Sequence, residues 1–285
     1  MDIPMLFSLF FACSPLKQVA RLPGELTEVS GVIAPSSDQL WMHSDESTIP
    51  FVFRVDMEGN IIHRTRIETD LIVNWEDATY TDNQWFVGDF GNWKGDRQDL
   101  RILAFPPLQD EERVEPRVIS FHYSDQESFP PSLEKRSFDM EAMVYHDQHL
   151  YLFSKNMYSK PLDPKVKLYQ IELNQEQHVA NLIAHFDSKA LHKYDTITGA
   201  ALRDDAKVLV LLSHGHIHVF WDYTLPNFFS GKHKRIELWH FTQKETIDFI
   251  DPYTLIIADE YYNFFLGPAR MYTLSLKDFL RRKGL

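Results

Sequence analysis

Apolar and polar positions alternate along this chain in short runs of about five to eight residues, separated by turn-forming residues, which is the pattern of β-strands. Five stretches repeat one order. A polar residue opens an apolar strand, in "SGVIAP", "EDATYT", "EAMVYH", "TGAALR" and "ETIDFI", beginning at Ser30, Glu76, Glu141, Thr198 and Glu245. The intervals between openers are 46, 65, 57 and 47 residues. A turn follows each, and then a second strand: "LWMHSD", "QWFVGD", "LYLFSK", "VLVLLSH" and "LIIADE", ending at Asp45, Asp89, Lys155, His214 and Asp259. Third strands read "FVFRVD", "LRILAF", "KLYQIEL", "HIHVFW" and "RMYTLSL". Fourth strands read "NIIHRTRI", "RVISFHY", "VANLIAHF" and "RIELWHF". The fifth repeat lacks a fourth strand, and its tail "LKDFLRRKGL" has the texture of a short helix. The missing strand has a candidate at the other end of the chain, "LKQVARLP".

This grammar predicts an all-β fold, a five-bladed β-propeller closed by an N-terminal strand. Radial four-stranded sheets meet around a channel, and the first strand of the chain completes the last sheet, which leaves few open edges. A six-bladed ring is the alternative, with a further blade within residues 104–138, although that stretch contains no additional opener. The propeller domain is expected to span residues 16–285.

In such a fold the openers converge on the axis and the ends of the second strands form a wider ring on the same face. Ser30, Glu76, Glu141, Thr198 and Glu245 then make an all-oxygen inner ring. Converging carboxylates in a partly dehydrated channel either take up protons or attract a cation. Ca²⁺ suits this donor set and Mg²⁺ is second. The alternative is that each glutamate makes structural hydrogen bonds.

Composition narrows the partners. The net charge of -12 disfavours a broad nucleic-acid surface. The single cysteine, Cys13, excludes an intrachain disulfide. Cys13 follows the apolar run "MLFSLFFA", so residues 1–13 have the form of a lipoprotein-type signal segment with Cys13 as the lipidated residue. That reading implies an exported bacterial lipoprotein, periplasmic or on the outer membrane or cell surface, which meets the membrane only through its lipid. The run is too short to span a bilayer.

The opener pattern Ser, Glu, Glu, Thr, Glu, with "NWEDATYTDNQWFVGD" and "ETIDFIDPYTLIIADE", resembles the calcium-activated nucleotidases, the soluble apyrase family. The resemblance implies a five-bladed propeller with one Ca²⁺ in the channel, held by Ser30, Glu76, Glu141, Thr198 and Glu245. "DMEAM" and "GDFGN" also resemble segments of uncharacterised exported bacterial propeller proteins.

Two functions stay open from the residues. One is a lipid-anchored binding module with a central calcium site, recognising a small anionic ligand or a protein partner, and acting as a monomer. The other is a calcium-dependent hydrolase of phosphate esters or anhydrides. There Asp45 or Asp89 would position or deprotonate water, while Lys155, Arg97 and His214 would bind the anionic substrate. "SHGHIHVF" carries His214, His216 and His218, which would form a zinc site only if their nitrogens converged with a further ligand.

Overall fold

The computed structural model describes residues 14–45, 50–69, 74–261 and 268–285. Cys13 and the proposed signal segment lie outside the described residues. The chain begins with β1 (Lys17–Arg21). It continues through β2 (Val29–Ser36), β3 (Gln39–Ser44), β4 (Phe51–Val55) and β5 (Ile61–Ile67), which pair in that order as antiparallel neighbours. Next come β6 (Trp75–Tyr80), β7 (Trp85–Asp89), β8 (Arg101–Phe105), the two-residue β9 (Arg113–Val114) and β10 (Arg117–Tyr123). Strands β11 (Met140–His146), β12 (His149–Ser154), β13 (Lys165–Glu172) and β14 (His178–Asp187) form the next antiparallel unit. They are followed by β15 (Ile197–Leu202), β16 (Val208–Ser213), β17 (His216–Trp221) and β18 (Lys232–Glu237). The last strands are β19 (Lys244–Asp251), β20 (Thr254–Asp259) and β21 (Arg270–Ser275), and the helix α1 (Lys277–Lys283) ends the chain.

The sheet begun by β19 is completed by β1, which pairs antiparallel with β21 from Lys17 opposite Thr273 to Arg21 opposite Arg270. Strands β6, β7, β8 and β10 are joined to the following unit through a short parallel pairing of β10 with β14, which makes one eight-stranded sheet. The opening strands touch in a closed circuit: β2 with β6, β6 with β11, β11 with β15, β15 with β19, and β19 with β2. Radial sheets around such a circuit make this all-β protein a β-propeller.

Position in the sheet explains the sequence pattern. The opening strands are covered on both sides by neighbouring sheets, so β11 is buried from Met140 to Val144 and β15 from Ile197 to Ala201. Their sequences are accordingly rich in apolar and small residues, interrupted by the buried acidic and hydroxyl groups that face the channel or bridge neighbouring strands. The outer strands β5 and β10 have one solvated face and alternate instead, as in "RVISFHY", where Ile119, Phe121 and Tyr123 point inward. Neighbouring opening strands are held by side chains that reach across to backbone groups. Asp77 Oδ2 accepts from Met143 N at 2.7 Å, Asp248 Oδ2 from Ala34 N at 2.9 Å, and Thr79 Oγ1 from Tyr145 N at 3.2 Å. These bonds satisfy main-chain groups that the radial arrangement leaves without a strand partner.

Two expectations differ from the structure. The 104–138 region holds β9, which adds a parallel edge to β5 with Arg66 opposite Arg113, and β10, the outer strand of its own sheet. No further four-stranded unit occurs there. The fourth strand expected over "RIELWHF" begins earlier, at Lys232, and Trp239 and Phe241 are exposed beyond its end. The lysines and arginine of "KHKRIE" suit a solvated outer strand better than two exposed aromatics would.

Candidate functional site

The starts of the opening strands and the ends of the second strands meet at one end of the channel. There they line a cavity of about 350 Å³. Ser30, Glu76, Glu141 and Glu245 line it, as expected, together with Asp45 and Lys155. Glu28, Asn74, Asp139, Gln243 and Glu260 join them, with Trp93 and Tyr158 at the rim.

The positive charge at the centre is a side chain. Lys155, at the end of β12, turns inward and places Nζ 2.9 Å from Glu141 Oε2 and 3.7 Å from Glu245 Oε2. Burial works against its charge, but Glu141, Glu245 and Glu76 outweigh burial and hold its pKa well above the ordinary lysine value. Glu245 also meets His214 Nε2 at 3.0 Å. Although burial alone would raise its pKa, Lys155 and His214 lower it. Glu141 is pushed up by burial, against the pull of Lys155. Glu76 is pushed further up, by burial and then by the Glu141 charge. Asn74 Nδ2 donates to Glu76 Oε1. A Cβ at Gly91 would overlap both of those groups, so a larger residue there would push Asn74 and Glu76 out of this arrangement.

A second carboxylate group flanks this centre. Oxygens of Glu28, Asp45 and Glu260 all lie within 4.8 Å of one another. Glu260 is buried, and its pKa is pushed up to about 10, by burial first and then by the charges of Glu245, Asp45 and Glu28. Its Oε2 accepts from Gln243 Nε2 at 2.7 Å. Asp139 closes another side of the cavity: Oδ1 accepts from Asn92 N at 2.6 Å, and Oδ2 is buried without a hydrogen-bond partner among the described residues. Burial, then Glu141, raises its pKa well above the usual carboxylate range. At the rim the Trp93 and Tyr158 rings lie 5.4 Å apart, both exposed.

Several expected roles change. The five-residue calcium ring does not stand as drawn. Ser30 Oγ donates to Glu76 O at 2.5 Å and Thr198 Oγ1 to Lys244 O at 2.6 Å, so both hydroxyls tie adjacent strands together. Thr198 is not among the cavity-lining residues. Lys155 supplies the charge that a metal among Glu76, Glu141 and Glu245 would have supplied, and its ammonium would repel one. Asp89 is no base: it is fully buried, with Oδ1 accepting from Arg97 Nη2 at 3.0 Å and Oδ2 from Arg101 Nε at 2.9 Å. Arg97 is correspondingly spent on Asp89, Asp99 and Gly91 O. Lys155 and His214 face the glutamates and are not displayed toward an anionic substrate.

The histidines make a row. His216 Nε2 lies 3.0 Å from His218 Nε2, and His218 Nδ1 lies 2.8 Å from His233 Nε2 on β18. Their nitrogens pair off along a line and share no central point, which is a hydrogen-bonded relay and not a zinc cage. Burial keeps these rings neutral, with His216 lowered to about 4 and His218 to about 2.

Sequence reasoning overlooked Glu28, Asn74, Asp139 and Gln243. Each lies two residues before an opener, and alternate residues on a strand share a face. Extending the period of two upstream by one step would have found all four.

No family model and no curated protein matches this chain. The expected kinship with calcium-activated nucleotidases therefore finds no counterpart. Among solved structures, the PQQ-bound form of an aldose sugar dehydrogenase from Streptomyces coelicolor is similar, with a TM-score of 0.52 at 9% identity, over 91% of this chain and 97% of that one. At that identity the likeness carries the fold, a β-propeller, and nothing of the chemistry.

Proposed function

We propose that this chain is a five-bladed β-propeller binding module whose channel mouth takes up a hard divalent cation. The ligands are Glu28, Asp45 and Glu260, displaced from the inner ring toward one side of the cavity. The observation that carries the reading is the convergence of three carboxylates within 4.8 Å, one of them buried and forced toward its protonated form. Ca²⁺ accepts six to eight oxygens in loose geometry, so three carboxylates with waters suit it, and Mg²⁺ is second.

A cation here would relieve the repulsion that Glu260 meets by protonation. It would also leave coordination positions facing the cavity, beneath Trp93 and Tyr158, for a partner or ligand. The binding role is favoured over hydrolysis because Asp89 is committed to two arginines, which leaves the hydrolase reading without its second base. Export and anchoring through a lipid on Cys13, with the folded domain a monomer outside the cytoplasm, complete the reading.

Calorimetric titration of chelator-treated protein with Ca²⁺ and with Mg²⁺ tests the site. One cation should bind per chain, and Glu260→Gln should abolish binding while the protein stays folded. Failure of the wild type to bind either ion would end this reading. Mass spectrometry of the mature N-terminus, made in a bacterial host, tests the anchor: an unmodified Met1 would exclude it.

A further inference from the structure

The channel mouth holds more acid than a single metal ion accounts for. Seven carboxylic side chains line it against one ammonium, that of Lys155. A divalent cation on Glu28, Asp45 and Glu260 would serve one side of the cavity only. Lys155 spends its ammonium on Glu141 and Glu245. Asp139 is left over. It is buried just before β11, and its Oδ1 is taken by Asn92 N at 2.6 Å. It lines the cavity, and its Oδ2 has no hydrogen-bond partner among the described residues. The neighbouring Glu141 carboxyl approaches it closely. Two carboxylates side by side offer acceptors only, and a donor must come between them.

The rim beside this wall is apolar. Trp93 and Tyr158 are 49% and 38% exposed, and their rings stand 5.4 Å apart, tilted by 45°. Met157 lines the cavity with them. A bare metal ion gains nothing from such side chains. An organic cation does, because its stem is covered by them while its charge goes to the carboxylates. The Trp93 ring already takes one ammonium in this way: Lys94, from the neighbouring pocket, places Nζ 4.8 Å from the ring centre.

We propose that the mouth binds a primary alkylammonium group, with its N–H donors on Asp139 Oδ2 and the acceptors around it, and its alkyl stem against Trp93, Met157 and Tyr158. The cavity contains this chemistry once already, since Lys155 is itself a primary alkylammonium seated on two of its carboxylates. A quaternary ammonium would suit the rings but brings no N–H for Asp139. The inference rests on the reading of the mouth as the binding face and does not need the metal, because amine and metal occupy different sides of the cavity. The ammonium could arrive on a free polyamine or on a lysine side chain of a protein; the chemistry is the same and the choice of probe separates the two.

Calorimetric titration of the full chain with 1,4-diaminobutane, with Nα-acetyl-lysine amide and with tetramethylammonium is the test, in chelator and again in saturating calcium. One or both amines should bind, one per chain, and the tighter of the two names the source. Tetramethylammonium should bind roughly tenfold more weakly, or worse. Asp139→Asn keeps the acceptor for Asn92 N and should weaken amine binding by roughly tenfold or more. Trp93→Ala, at an exposed position, should weaken it by about twofold to fivefold and covers the case in which Asp139→Asn does not fold, as thermal melts will show. Glu176→Gln, an exposed acid just beyond the far end of β13, should leave it unchanged. Absence of amine binding, equal binding of tetramethylammonium, or wild-type affinity in both Asp139→Asn and Trp93→Ala would overturn the proposal. Displacement of the amine by calcium would place it on Glu28, Asp45 and Glu260 and overturn its assignment to Asp139. Amine binding by a protein that takes up no calcium would remove only the metal site, and calcium uptake without amine binding would remove only this inference.

Discussion

Two buried polar clusters in this propeller answer burial in opposite ways. Around Lys155, the carboxylates of Glu76, Glu141 and Glu245 crowd one ammonium, with Asp139 and Glu260 close by. In the sheet of β15–β18, His216, His218 and His233 form a line of rings. Burial disfavours charge in both places. An imidazole meets that demand without help, because a neutral ring carries one donor and one acceptor. With His233 Nε2 donating to His218 Nδ1, and His218 Nε2 donating to His216 Nε2, the remaining proton on His216 Nδ1 faces Asp195 Oδ1 at 3.9 Å. The middle ring, His218, is then used in both roles, while His216 Nδ1 is buried without a hydrogen-bond partner among the described residues. Carboxylates have no such arrangement: each needs a proton or a cation, and the mouth holds more of them than one lysine can serve. The histidine row stays neutral without a counter-ion, whereas the mouth retains an appetite for positive charge.

The largest test of that contrast is Lys155→Met. Removing the ammonium strands Glu141 and Glu245, and stability should fall by about 3–5 kcal/mol, read from urea unfolding. The loss should shrink at acid pH, where the carboxylates are protonated in folded and unfolded chains alike. A loss independent of pH would mean that Lys155 acts by packing.

Calcium comes next. At a concentration of about 100 times its Kd, a cation bound only by the folded state adds about 2.7 kcal/mol, seen as a rise in Tm. Glu260→Gln should erase the rise, and His218→Leu should leave it intact.

The pH dependence is a finer test. The Glu260 carboxyl has its folded pKa raised to about 10, so the folded chain holds a proton that the unfolded chain releases above the ordinary glutamate range. Its contribution is full below that range and declines as pH rises toward 10. Between about pH 7 and pH 8, clear of the ordinary histidine range, metal-free protein should lose about 1.4 kcal/mol of stability per pH unit for each such proton. Glu260→Gln should flatten the slope, and saturating calcium should do the same. The histidines carry the opposite sign: their lowered pKa values cost stability as pH falls below about 6.5.

A further test is His218→Leu at neutral pH. It removes two hydrogen bonds but leaves neutral groups behind, with an expected cost of about 1–3 kcal/mol at most, measured by thermal melting. A cost matching that of Lys155→Met would erase the distinction between the clusters.

Most of the fold was legible because its signals are local. Opening strands read as apolar runs, outer strands alternate, and "LKQVARLP" matches the gap left beside β21. The start of β18 was misplaced because "KHKRIE" has weak apolar content, and its pairing with β17 is a matter of tertiary context. The site was legible in place and not in detail. Register gave the convergence of Glu76, Glu141 and Glu245, but only packing decides that the long, flexible Lys155 folds inward. The pairing of His233 with His218 was equally hidden, since fifteen residues separate them. The capture of Asp89 by Arg97 depends on a loop whose path no periodicity reports.

Closure of the last sheet by β1 has a consequence for how the molecule is made. Synthesis produces Lys17–Arg21 long before their partner Arg270–Ser275. Until β21 has emerged from the ribosome, β1 has no strand to join. A chain terminated early would lack the partner of its own first strand, leaving that strand open to degradation. The seam therefore acts as a check on synthesis: the ring locks only when both β1 and β21 are present.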